Sequence, residues 1–173
     1  MLRCRQCPLS LAEPVKIQPT SDRFQDRIVS SGAMIIKNLT LLIYASQPFG
    51  YDSTILSSIL NDARKCNLRD GITGALVCRQ DIYLQLLEGP SEQVAAAYMR
   101  ICRDDRHAGI SELVSRQITS RMFGDWAMLH DPAKSLIWTQ DQIADGILDR
   151  IPPASIVDMF ESVSRNAGPE HAS

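Results

Sequence analysis

Two stretches of helical period interrupt a chain that otherwise reads as strands. Ile55, Leu56, Ile59, Leu60 and Ala63 recur at helical spacing, and so do Val94, Ala97, Tyr98 and Ile101. Runs of strand character surround them: "LTLLIYAS" before the first, "ITGALVC" and "IYLQLLEG" after it, "ELVSRQITS" and "DWAMLH" after the second. The order is β-α-β-β-α-β-β. Each helix bridges two strands by a long crossover, which favours parallel neighbours and right-handed connections. The pattern predicts an α+β, ferredoxin-like sandwich: a mixed five-stranded sheet with two helices on one face.

Local signals set expected boundaries. Asp52 or Ser53 serves as N-cap of a helix over 53–65, and "NLRDG" reads as a turn. The polar "RQD" makes a hairpin of the next two strands. Pro90 and Ser91 open the second helix, and "RDDRHAG" ends it. Further on, Thr139 and Gln142 form a capping-box pattern, and Pro153 opens a segment whose apolar face is Ile156, Val157, Phe160 and Val163. These C-terminal helices can cover the second face of the sheet. The expected organisation is a flexible leader over 1–36, one domain over 37–130, and a helical cap and tail over 131–173.

Composition limits the function classes. Of 173 residues, 45% are hydrophobic, enough for a real core. The net charge is −2 with no basic stripe, so direct nucleic-acid binding has no support. No apolar run approaches the ~20 residues of a membrane span. The N-terminus lacks the apolar core of a signal peptide. Five scattered cysteines (Cys4, Cys7, Cys66, Cys78, Cys102) fit a reducing cytoplasm better than a disulfide framework.

Familiar catalytic motifs are missing. Cys4 and Cys7 make a lone CxxC without the second ligand pair that zinc needs, and His107, His130 and His171 show no metal-ligand spacing. There is no GxSxG, Walker A or GxGxxG. "GITG" is a strand entry rather than a phosphate cradle. Cys66 has Arg64 and Lys65 nearby, but reads better as a half-buried helix-end thiol than as a reactive one.

One residue resists a structural explanation. Gln85 sits among Ile82, Leu84, Leu86 and Leu87 in a strand that should be buried. A buried amide left without partners costs roughly 1–3 kcal/mol. By parity it shares a face with Tyr83 and Leu87. Tyr44 lies in the first strand, which is usually central and beside the third in this topology. Asn67 ends the first helical region, and Trp126 and Met128 alternate in the last strand. Each has a plain reading taken singly: Tyr and Trp as core residues with a polar handle, Asn67 as a helix C-cap.

Taken together, "LLIYAS", "ARKCNLRDGITGALV", "YLQLLEGP", "RDDRHAG" and "RMFGDWAM" resemble, in order, the motifs of the BLUF family, the flavin-using sensors of blue light. The resemblance spans about residues 37–130 and would make that stretch a flavin-binding photosensor domain. It implies non-covalent FAD, with FMN as the alternative, held between the two helices. It implies that Tyr44 donates an electron and a proton. Gln85 would join the flavin to Tyr44, and Asn67 would hold the polar edge of the ring. Arg106 and His107 would contact the ribityl or phosphate side, with Arg64, Lys65 and Ile72 as further contacts. Ser46, Trp126 and Met128 would surround Gln85, the last two relaying the signal. After excitation the glutamine would change orientation or tautomer and the absorption would shift to the red. A neutral amide suits that role because it exchanges donor for acceptor at little steric cost. Cys78 departs from the family, which often has an aromatic residue there, and the "RQD" hairpin lacks the usual glycine.

The C-terminal segment is too short for a cyclase, phosphodiesterase or DNA-binding domain. The expectation is therefore a sensor without catalysis of its own. It would act on a separate protein, either a transcription regulator or a cyclic-dinucleotide enzyme. Self-association, most often as a dimer, is expected from the apolar C-terminal helices and an uncovered sheet face. A flavin-dependent oxidoreductase and a non-flavin ferredoxin-like regulatory module are the competing readings.

Overall fold

A computed structural model describes residues 38–124 and 126–167. The expected leader, the CxxC of Cys4 and Cys7, His171 and the last six residues lie outside them. Five strands and four helices follow in the order β1 (Leu39–Pro48), α1 (Ser53–Asp70), β2 (Thr73–Arg79), β3 (Ile82–Pro90), α2 (Ser91–Ile101), β4 (His107–Ile118), β5 (Leu129–Asp131), α3 (Gln140–Ala144) and α4 (Pro153–Asn166). A short 3₁₀ turn, Ile147–Asp149, separates the last two helices.

The sheet order is β4-β1-β3-β2-β5. The expectation of parallel neighbours fails for both crossovers. β1 and β2 point the same way, but β3 lies between them and pairs antiparallel with each. β4 likewise pairs antiparallel with β1. Only β2 and β5 are parallel neighbours, which makes the sheet mixed. β1 and β3 are buried almost end to end because both sheet faces are covered.

Strand parity divides the core in two. Leu42, Tyr44, Leu76, Tyr83 and Leu87 face α1 and α2, packing with Leu56, Ile59, Leu60, Val94 and Ala97. Leu41, Ile43, Ala75, Val77, Leu84 and Leu86 face the other way, against Ile156, Val157, Met159, Phe160 and Val163 of α4. Trp138 is buried in this second core. α4 thus covers the second face of the sheet, as its apolar residues led one to expect, so an uncovered sheet face gives no ground for self-association.

α1 begins as expected, with the Asp52 carboxylate accepting the Thr54 N–H. It ends later than expected. Asn67 is not a C-cap but an internal helical residue, and the chain stays helical to Asp70. Gly71, at φ +64°, adopts the left-handed conformation that lets its N–H reach the Asn67 carbonyl. The capping box of Thr139 and Gln142 is formed with both bonds present.

Two further boundaries move. His107 opens β4 rather than trailing α2. β5 holds only Leu129–Asp131, so Trp126 and Met128 precede the strand and do not share a face. Met128 is buried in the α1–α2 core, whereas Trp126 is half-buried against the α4 core. The cause is local: backbone groups at 126–128 bond to β2 and α1 groups rather than to a ladder.

Candidate functional site

Tyr44 and Gln85 are registered partners in the β1–β3 ladder, both on the α1–α2 face. The Tyr44 hydroxyl donates to Gln85 Oε1. On the β4 side, register shifts fall just before Tyr44 and just after Ala45, so the ladder is irregular on both sides of the phenol. Gln85 is only 3% exposed. Its Nε2 meets the Met128 Sδ at 3.8 Å, and a thioether is a weak acceptor. The amide donor therefore retains unused capacity at a buried position.

Asn67 is buried on α1 and spends one N–H on the Ala127 carbonyl at 2.8 Å. An amide carries a second N–H and an acceptor oxygen besides. Ser46 Oγ and His107 Nδ1 lie 2.9 Å apart. The His107 ring stands edge-on to Tyr44 and Tyr83, with centroids 6.2 and 5.5 Å away. Tyr98 of α2 packs on Tyr44 at 5.6 Å. Burial pushes the Tyr44 phenol well above its ordinary value of 10.0 and holds His107 below 6.5, so both stay neutral near pH 7.

A cleft of about 170 Å³ opens between α1 and α2, with Gln85 and Asn67 in its lining. Its walls are Ile59 and Ala63 from one helix and Ala97 and Ile101 from the other. Its charged lining is Asp62, Arg100, Asp104 and Arg106. Arg106 bonds to Asp104, Asp62 and Ser58, and Arg100 crosses to Asp70 on α1 at 2.7 Å. Arg69 and Arg100 together hold the Asp70 carboxyl at about 2.

Not every expected contact comes to this cleft. Gln85, Asn67, Arg106 and His107 line it, with Tyr44, Ser46 and Met128 directly behind. Arg64 turns away: its Nε donates to the Met128 carbonyl at 3.3 Å. There it borders a separate groove of about 970 Å³ with Trp126, His130 and Met159. Lys65 is exposed, and Ile72 is buried at the entry to β2 outside the cleft lining.

Two contacts escaped the sequence reading. Cys78 Sγ lies 2.9 Å from His130 Nε2, its thiol pushed up to about 12 mainly by burial. Glu88 is fully buried on the opposite sheet face from Gln85. It accepts the Met122 and Phe123 N–H groups at 2.8 and 2.5 Å and the Thr73 hydroxyl at 3.0 Å. Its one local trace is an acid three positions beyond Gln85, at the end of a strand buried on both faces, which names no partner.

The cleft suits a flavin. Small alanines, Ala63 and Ala97, line it from both helices, and a planar ring edged by carbonyl and ring-nitrogen groups needs donors and acceptors from one wall. Gln85 and Asn67 supply both kinds. The buried Tyr83 hydroxyl, on the same sheet face, has no hydrogen-bond partner in the structure.

Comparison with known proteins agrees. A family model described as BLUF, sensors of blue light using FAD, matches residues 39–129. The blue light- and temperature-regulated antirepressor BluF of Escherichia coli (strain K12) is 37% identical over 92 residues, 52% of this chain and 23% of that one. The photoactivated adenylate cyclase subunit beta of Euglena gracilis is 29% identical over 142 residues, 77% of this chain and 15% of its own. The chain thus spans under a quarter of either relative's length. Among solved structures, the dark state of BlrB, a BLUF protein, superposes with a TM-score of 0.64 at 26% identity, covering 76% of this chain and 98% of that one.

Proposed function

The chain belongs to the BLUF family of sensors of blue light using FAD, and on that footing we propose that Tyr44 and Gln85 form its photochemical pair and that its output is carried to a separate protein. Bound flavin supplies blue-light absorption and, when excited, a strong one-electron oxidant. Asn67 and Gln85 would hold its polar edge, Ile59, Ala63, Ala97 and Ile101 would supply the apolar walls, and Arg106 and His107 would meet its tail, since all of them line the cleft.

The chain's own part is proton handling and reorientation. The Tyr44 proton already points at Gln85 Oε1. Burial keeps the phenol protonated at rest, so proton loss accompanies loss of the electron and does not precede it. Gln85 responds by turning its amide. The two ends differ little in size, so the turn exchanges acceptor for donor toward Tyr44 and removes the N–H from the Met128 thioether. A leucine has neither end, and a glutamate would carry a charge that burial penalises.

The observation that carries this reading is the Tyr44–Gln85 bond behind a cleft lined by amides. The sensor stretch is taken as 37–130 with 131–173 as its cap. An antirepressor among the relatives supports a transcription regulator as the partner class, and a solved structure of Klebsiella pneumoniae BlrP1 with FMN and cyclic diGMP supports the alternative, a cyclic-dinucleotide enzyme. The chain itself is read as non-catalytic and cytoplasmic, and no helix among the described residues is long and apolar enough to cross a membrane. The test is an absorption spectrum of the purified protein before and after blue light. A yellow protein with a red shift that reverses in the dark supports the proposal. A colourless protein without affinity for FAD overturns it, and steady NAD(P)H consumption in the dark favours an oxidoreductase.

A further inference from the structure

Gln85 and Glu88 project to opposite faces of β3, and the same stretch of chain touches both. Glu88 holds Met122 and Phe123 by their N–H groups. The Trp126 N–H donates to the Phe123 carbonyl at 3.0 Å, and the Trp126 carbonyl accepts the Gly74 N–H at 3.0 Å. Two residues on, Met128 presents its thioether to the Gln85 amide. On the far side, the Met122 carbonyl accepts the Ser164 hydroxyl of α4 at 2.9 Å, and the Phe123 ring meets Phe160 edge-to-face at 6.4 Å. No cationic side chain bonds the Glu88 carboxylate oxygens among the described residues. Arg121 instead takes the Glu88, Gly71 and Thr73 oxygens around them.

We propose that Glu88 is a positioning residue for the light response: its buried carboxylate fixes Arg121–Phe123, and through them sets Met128 against Gln85 and couples α4 to that contact. A carboxylate suits this task because it offers acceptors only, and both oxygens are used on adjacent backbone donors. Without the latch, a change at Met128 would be absorbed by the connecting chain. With it, the change is delivered to Ser164 and Phe160 on the other side of the sheet. The inference rests on Gln85 being the light-responsive group.

The experiment is amide hydrogen exchange on the full chain with FAD bound, in the dark and under blue light, for the wild type and Glu88→Gln. Glutamine keeps the shape but puts an NH₂ against a backbone donor. In the dark, exchange at Met122, Phe123 and Trp126–Met128 is expected to rise roughly tenfold, the size of one lost bond to a charged group, with the β1–β3 ladder unchanged. Under light, the red shift is expected to persist while the light-minus-dark difference over 153–166 disappears. Unchanged exchange at Trp126–Met128, or a wild-type response in α4, overturns the proposal. A wild type with no red shift overturns the reading of Gln85 instead, and the dark measurement still decides whether Glu88 positions Met128. Should Glu88→Gln not fold, Ser164→Ala decides: a normal red shift with a diminished α4 response is expected, and a full α4 response overturns the proposal.

Discussion

Tyr44 and Gln85 stand directly opposite each other on neighbouring antiparallel strands, joined side chain to side chain by the phenol hydroxyl. The bond is made inside a core, so each partner is the other's main means of satisfying a buried polar group. The pair should therefore be sensitive to small changes.

Tyr44→Phe and Gln85→Leu should both keep flavin and lose the light-induced red shift. Each leaves a buried partner unpaired, at a cost of about 1–3 kcal/mol. Absorption spectroscopy and urea unfolding read the two effects. A normal photocycle in either variant would remove the assigned roles.

Stability should fall in mild acid. Burial holds His107 and His130 below their ordinary value of 6.5. The unfolded chain therefore binds protons first, and the stabilisation present above pH 6.5 is lost as the pH drops through the folded values. Replacing both histidines with glutamine should flatten this part of the profile of thermal midpoint against pH. An unaltered slope would count against it.

Gly74→Ala should be among the most damaging single changes. A Cβ there would lie 2.0 Å from the Leu86 carbonyl oxygen, on the backbone of the adjacent strand. Relief requires separating β2 from β3, so a loss above about 4 kcal/mol is expected. Denaturant unfolding measures it, and a loss under about 1 kcal/mol would show that the strands do not approach as described.

Phe160→Ala should cost about 3–5 kcal/mol, the usual range for a fully buried ring. The damage belongs to the α4 face, so dark flavin binding should be retained in whatever fraction folds. Equilibrium unfolding and flavin titration together test this. Loss of flavin from folded protein would mean that the two cores are not separate.

Much of this was legible in the residues. Asp52 and the Thr139–Gln142 pair announced helix starts, because caps are local chemistry. Strand parity brought Tyr83, Gln85 and Leu87 to one face, and topology set Tyr44 beside Gln85. The failures were non-local. "NLRD" looks like a turn, but the left-handed stop comes only at Gly71, which places Asn67 within the helix. "DWAMLH" alternates like a strand, yet its first backbone groups are taken by Gly74, Asn67 and Arg64. Arg64 was expected at a flavin tail from the resemblance alone, and its Nε is spent on the Met128 carbonyl. Glu88 went unread, since nothing local says that an acid will meet two amides more than thirty residues away.

The separation of Trp126 from Met128 has a practical result. The chain holds two tryptophans, and both Trp126 and Trp138 pack in the α4 compartment rather than in the cleft. Intrinsic indole fluorescence is thus a native reporter of the output side, available without a label. Its time course after a flash, set beside the flavin spectrum, would show how long news of a photon takes to cross the sheet.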